Sequence, residues 1–214
     1  MKRSYTVDFV QTALVILGLG LNAGAAAAAT FDFSGNYNIT ATPQDIPPNF
    51  QAISLSGTST NVPYDLTQVS SLSYAQTNFN TGAFNSNTDP TAFGLQGYQP
   101  GYVEFSGNGS NILFASGSGT GKIDFAQGTA TTSATLAITG GQGIFSGATG
   151  TLTSAQVVPA SIQIGVALNG QYSVSGRIET VPEPGFEIAP LVMGVITSGV
   201  LWRRLCAKNR DSRW

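Results

Sequence analysis

Thr132-Ser-Ala-Thr-Leu-Ala-Ile-Thr139 decides how this chain folds. In an extended backbone Ala134, Leu136 and Ile138 fall on one face, and Ser133, Thr135, Ala137 and Thr139 on the other. Period-2 alternation with β-branched residues marks a strand that buries one side and wets the other. The same reading extends outward in both directions. Phe31–Thr40 places Phe31, Phe33, Tyr37 and Ile39 on one face, and Gln171–Thr180 places Tyr172, Val174, Gly176 and Ile178 together. Shorter runs predict further strands at Ala52–Thr58, Leu66–Tyr74, Tyr102–Phe105, Ile112–Ala115, Gly121–Phe125, Thr151–Val158 and Ile162–Leu168. Within Leu66–Tyr74 the pattern puts Leu66, Leu72 and Tyr74 on one face, with Val69 out of phase. Short alternating strands separated by Gly, Asn and Ser predict an all-β domain, a single antiparallel sheet closed into a barrel or folded as a sandwich. Gln44–Asn49, with Pro47 and Pro48, reads as a turn, and Phe79–Gly101 as one long loop or two.

The stretch after the best strand is Thr139-Gly-Gly-Gln-Gly-Ile-Phe-Ser-Gly-Ala-Thr-Gly-Thr-Leu152. Gly140, Gly141, Gly143, Gly147 and Gly150 suit positive φ, and Ile144 and Phe145 can plug a core from the turn. A phosphate-cradling loop is the sharper use of so many glycines. Neither a Lys-Ser/Thr pair nor a helical pattern follows, which argues against it. The stretch resembles the Gly-rich segment of the dirigent and allene oxide cyclase-like β-barrels, as does the later Gly170–Gly176 strand. That resemblance covers about Thr131–Ile178 and implies an eight-stranded antiparallel barrel. Ile144 stands where the family has a basic residue, and the family's functional residues have no counterparts, so no activity carries over.

The two ends of the chain read as addresses. Lys2 and Arg3 precede the apolar run Val10–Leu21, and the small residues Ala23–Ala29 follow. This is the layout of a secretory signal peptide over residues 1–29, read by the Sec translocon and cut by signal peptidase near Ala27–Ala29. At the other end, residues 181–214 open with Val181-Pro-Glu-Pro-Gly185. Pro182 and Pro184 forbid helix and hold Glu183 in an extended peptide. The apolar run 186–202 then reaches the lower length limit for a membrane span. Arg203 and Arg204, with Lys208, Arg210 and Arg213 behind them, suit the cytoplasmic side.

The order of these three parts resembles the PEP-CTERM sorting signal of bacterial surface proteins. The resemblance implies recognition of Pro182, Glu183 and Pro184 by an exosortase. It implies retention of the tail in the inner membrane by Arg203 and Arg204 until processing, then release to the cell surface or extracellular matrix. A biofilm role and contact with exopolysaccharide are implied in the same way. A plain C-terminal anchor is the closest rival reading.

Between the addresses, residues 30–180 form one β domain of ordinary size. It holds seven acidic residues and two basic ones, Lys122 and Arg177, a formal charge of −5. Nucleic acid is therefore not an expected partner. The chain has no His, and its one Cys, Cys206, lies in the basic tail. Thiolate and imidazole metal sites, Cys nucleophiles and Ser–His pairs are absent from the domain, and no cofactor is expected.

Three functions follow, in order. The first is a non-catalytic structural or adhesive surface protein. The second is a small-molecule or glycan-binding barrel, which needs an interior not filled by Leu136, Ile138, Phe145 and Val174. The third is a carboxylate-dependent glycosidase or lyase, which needs two of Asp32, Asp45, Asp65, Asp89, Glu104 and Asp124 in one cleft. Minor features include the acceptor-like sequences at Asn38 and Asn108 and a possible sugar platform at Phe93, Tyr98 and Tyr102. A weak calcium site at Asp89 and Asp124 lacks the repeating Asp pattern such sites use.

Overall fold

The computed structural model describes residues 28–160 and 165–181. The signal segment before Ala28, residues 161–164, and everything from Pro182 onward, including the apolar run 186–202, lie outside them. Nine strands are present: β1 (Ala29–Ile46), β2 (Phe50–Thr58), β3 (Gln68–Thr77), β4 (Ala83–Asn87), β5 (Tyr102–Ser106), β6 (Ile112–Asp124), β7 (Thr129–Gln142), β8 (Ala148–Pro159) and β9 (Leu168–Thr180). All nine belong to one antiparallel sheet, and there is no α-helix among the described residues.

The pairings run from β1 to β2 and on to β3, and from β6 through β7 and β8 to β9. β9 pairs back onto β1 over Ala29–Ala41, opposite Leu168–Thr180. Between β3 and β6 one position is shared by two short strands. β5 covers Gln68–Leu72 of β3 and Leu113–Ala115 of β6. β4 covers Tyr74–Thr77 of β3 and Ser118–Lys122 of β6. Each of the nine strands thus has a hydrogen-bonded neighbour on both sides, which removes the sticky edges an open sheet would present. Thr88 bridges the gap where β4 stops, its hydroxyl accepting from the Gly117 amide at 3.0 Å.

The alternation read at β7 is observed. Leu136 and Ile138 are buried, Ala134 is half-buried, and Ser133, Thr135, Ala137 and Thr139 are exposed. The faces of β1 and β9 also agree with the sequence, with Phe33, Tyr37 and Ile39 buried against Tyr172, Val174 and Ile178.

Four expectations need correction. First, Ile112–Ala115 and Gly121–Phe125 belong to one strand, β6. The Ser-Gly alternation between them carries no apolar signal, yet its glycines occupy the core-facing positions of a continuous ladder. Second, Val69 is on the main core face, whereas Leu72 and Tyr74 point to the other side. Leu66 shares the main core because it precedes the strand, so its parity does not carry over. Third, Phe79–Gly101 is more than loop. It contains β4 and a short 3-10 turn, Pro90–Phe93, whose start is capped by Asp89 accepting from the Thr91 amide at 2.9 Å. Phe93 and Leu95 from this excursion cover Leu72 and Tyr74, making a second small cluster with Ile46 and Phe50. Fourth, of the expected Ile162–Leu168 strand, residues 162–164 lie outside the described residues, 165–167 are not strand, and β9 begins at Leu168.

The Gly-rich connection between β7 and β8 forms a 3-10 turn over Gly143–Phe145. Phe145 is fully buried there, as its sequence context predicts, while Ile144 stays exposed. Gly140, Gly143, Gly147 and Gly150 do take positive φ. Gly141 does not; it is glycine for space, because a Cβ there would press against the Ile112 carbonyl and the Phe145 side chain.

Candidate functional site

The core face of the sheet changes character along the strands. At the end where Ala29 meets Thr180, the inward side chains are large. Phe33 packs edge-on against Phe105 at 5.5 Å, and Phe31, Tyr64 and Phe145 form a mutually perpendicular trio at 5.5–5.7 Å. Leu113, Leu152 and Ile178 are fully buried beside them. Perpendicular ring pairs place positive edges on negative faces and add to area burial.

Two connections close this end from outside. Tyr64 and Asp65, both at positive φ (62° and 60°), are held by hydrogen bonds that offset the backbone cost. The Tyr64 hydroxyl donates to the Asp32 carbonyl at 3.1 Å, Asn111 donates to the Tyr64 carbonyl at 3.0 Å, and Asp65 accepts from the Gly109 amide at 2.7 Å.

At the opposite end the inward residues are small. β3 offers Ser71, Ser73 and Ala75, β7 offers Ala130, Thr132 and Ala134, and β1 offers Ala41. The core-facing positions of β6 continue as Gly117, Gly119 and Gly121, which bring no side chain inward at all. A Cβ on Gly121 would collide with the ring of Phe84, so this glycine is what lets Phe84 lie flat along the wall. The result is a cavity of about 400 Å³ opening at this end of the sheet. That volume falls within the roughly 300–1,000 Å³ of ordinary small-molecule sites.

The floor of the cavity is Leu55, Val103, Leu136 and Tyr172. Tyr172 marks the boundary between the two ends, lying against Tyr37 at 6.3 Å and Phe105 at 6.5 Å while also facing the cavity. Burial pushes its phenol up to about 12, opposed by a hydrogen bond with Ser154. Tyr37, one layer deeper, is raised further by burial and then by Tyr172, and its hydroxyl donates to the Leu66 carbonyl at 2.7 Å. Both hydroxyls are neutral structural groups at physiological pH. At the mouth stand Phe79 and Phe125, each a little over half exposed. Asp45 is there too, accepting from the Gln51 side chain at 3.1 Å.

The carboxylates do not converge. Asp32 sits on the outer face, ion-paired with Arg177 at 3.3 Å. Asp65 and Asp89 brace turns, and Asp124 accepts from the amides of Ala126 and Gln127 in the β6–β7 turn. Glu104 lies on β5 outside the cavity lining, so Asp45 is the one carboxylate that lines it among the described residues. No group of three His, Cys, Asp or Glu is close enough to hold a metal ion among the described residues. Asn38 hydrogen-bonds Gln171 on the outer face at 2.6 Å, and Asn108 is exposed in the β5–β6 turn. Phe93, Tyr98 and Tyr102 are away from the cavity, Tyr98 standing edge-on to Tyr74 at 6.0 Å. Pro182, Glu183, Pro184, Arg203 and Arg204 fall outside the described residues.

The sequence reading passed over the residues that build the cavity. Their signal was the run of small inward residues on β6 and β7 opposite Ser71 and Ser73, legible only once strand partners are known. No family model matches this chain, and no curated protein or solved structure matches it either.

Proposed function

We propose that this protein is exported, sorted to the cell surface or matrix by an exosortase acting at Pro182-Glu183-Pro184, and carries a barrel domain that binds a small molecule without transforming it. The export and sorting part rests on the sequence of the two ends. Export would use the Sec translocon and signal peptidase, and the basic pair Arg203–Arg204 would hold the tail in the inner membrane before processing. The barrel reading is supported by the return of the strand pairings from β9 to β1 and by alternation that buries one face. An eight-position antiparallel ring is about the size whose interior either fills with side chains or holds one small ligand. β4 and β5 share a position, so nine strands make eight positions.

The observation that carries the binding function is the cavity of about 400 Å³, mostly apolar and open at one end. It favours binding over the purely structural role that the sequence ranked first. An enzyme of the carboxylate type is disfavoured by the separation of the acidic side chains. The test uses two neighbouring residues that face opposite ways. Ala134 lines the cavity and Thr135 is on the outer face. Titration with the fluorescent probe N-phenyl-1-naphthylamine should saturate at one site per chain. Ala134→Trp should abolish that signal and Thr135→Trp should keep it. Equal binding by both variants would remove the cavity as the site. For sorting, the intact mass of protein recovered from the host's surface should end near Val181–Pro184. A mass running through Trp214 in the membrane fraction would make the tail a simple anchor.

The structural or adhesive reading retains one observation. The outer faces of β8, β9 and β1 carry hydroxyl and amide side chains bonded across strands, as in Thr40–Asn169 at 2.9 Å and Thr153–Ser175. Such a face offers hydrogen bonds to a neutral polysaccharide. Retention of the protein in the matrix fraction after outer-face Thr and Asn residues are replaced by Ala would argue against it.

A further inference from the structure

We infer that the cavity selects uncharged, largely apolar molecules bearing hydroxyl or amide groups, and that Asp45 at its mouth turns anions away. This rests on the binding function proposed above and goes beyond it by naming the ligand class. The wall contributes apolar surface from Ile53, Phe84, Ile123 and Leu168. Its polar groups are neutral hydroxyls and amides, among them Ser71, Ser73, Ser154 and Gln156. Hydroxyls both donate and accept, so they pair with an alcohol, an ether or an amide equally well.

The domain has two cations, Lys122 and Arg177, and neither lines the cavity. Lys122 is exposed on β6, facing out from the sheet, and Arg177 is engaged by Asp32 near the packed end. A carboxylate, phosphate or sulfonate entering the cavity would lose hydration and meet no compensating charge. It would also pass Asp45, the one carboxylate lining the cavity among the described residues, within a domain whose formal charge is −5. A cation also loses hydration inside, where the wall is apolar or neutral and Asp45 can offset that loss only at the mouth. Phe79 and Phe125, exposed at the rim, offer apolar surface to an uncharged ligand before it enters. Both ends of the described domain leave from the other, packed end, where Ala29 pairs with Thr180.

A matched pair of probes tests the inference on the full-length protein. N-phenyl-1-naphthylamine and 1-anilinonaphthalene-8-sulfonate share one aromatic frame, and the second adds a sulfonate. At low salt the neutral probe should bind at least tenfold more tightly. Asp45→Lys should narrow that ratio at least threefold, chiefly by tightening the anionic probe, and added salt should shrink the variant's effect. Equal affinity for the two probes in the wild-type protein would overturn the selectivity while leaving cavity binding intact. An unchanged ratio in Asp45→Lys would overturn the role of Asp45. Failure of both probes to bind would end the binding function itself, and this inference with it.

Discussion

The two ends of this sheet are made from the same strands, and they differ in what those strands point inward. β1 carries Phe33 and Tyr37 toward the core in its first half, then Ala41 and Pro43 in its second. β7 runs the other way, from Ala130 and Ala134 at the open end to Leu136 and Ile138 toward the packed end. The ladders of β7 with β8, β8 with β9 and β9 with β1 run without a register shift, so strand pairing there does not decide which end is solid. Side-chain volume does. Where large residues such as Phe33, Phe105, Leu113, Phe145 and Ile178 meet, they are buried and leave no comparable space. Where Gly, Ala and Ser face inward, the same strands keep a space that no described residue fills. Close packing and open space are thus separated along the strand direction. The packed half can hold the fold while the other half stays open.

The largest effect should follow from emptying the packed end. Phe105→Ala removes a fully buried ring that touches Phe33, Tyr37 and Tyr172. Urea unfolding should show a loss of about 3–5 kcal/mol. Ala134→Leu, placed in the cavity, should leave stability within about 1 kcal/mol of wild type because there is room for the added atoms. Similar losses from both would break the comparison.

A smaller loss is expected at the closing turns. A Cβ on Gly107 would overlap the Asp65 carbonyl, so Gly107→Ala should cost about 1–3 kcal/mol in the same assay. A neutral result would mean that the turns are ornaments of the packed end and not part of its closure.

Alkaline pH probes the boundary. The Tyr172 phenol is raised from 10.0 to about 12, so the fold favours its neutral form. The stability it contributes is complete below about pH 10 and is lost as pH rises through about 12. Melting temperature should therefore fall across that window, and Tyr172→Phe should flatten part of the fall. A variant that titrates like wild type would place the boundary elsewhere, Tyr37 being the next group raised by burial.

The smallest effect belongs to the outer face. Arg177 and Asp32 are both well exposed, so Arg177→Ala should change stability by less than about 1 kcal/mol and leave probe binding untouched. A larger change would show that the outer face contributes to holding β1 against β9.

Much of the packed end was legible residue by residue. Period-2 runs placed Phe33, Tyr37, Ile138, Val174 and Ile178 correctly, and the Gly-rich turn announced Phe145 as a plug. The open end was not legible, for the same physical reason that makes it open. β6 between Ser116 and Gly121 has no large side chains, so it gives no hydrophobic period, and it read as a break between two strands. The phase of β3 was lost differently. Leu72 and Tyr74 are apolar but outward, because the excursion after β4 covers them with Phe93 and Leu95. A local pattern cannot tell which of two apolar faces meets the main core.

By itself, then, the sequence determined the all-β class, the inward faces of the strongest strands and the acidic charge of the domain. These depend on residue type and spacing along the chain, which are local. Tertiary structure alone decided that β4 and β5 share one position, that β9 pairs back onto β1, and that the small residues of β1, β3, β6 and β7 face one another across a cavity. Those depend on register between strands up to about 150 residues apart, as with Ala29 and Thr180, and no local period encodes it.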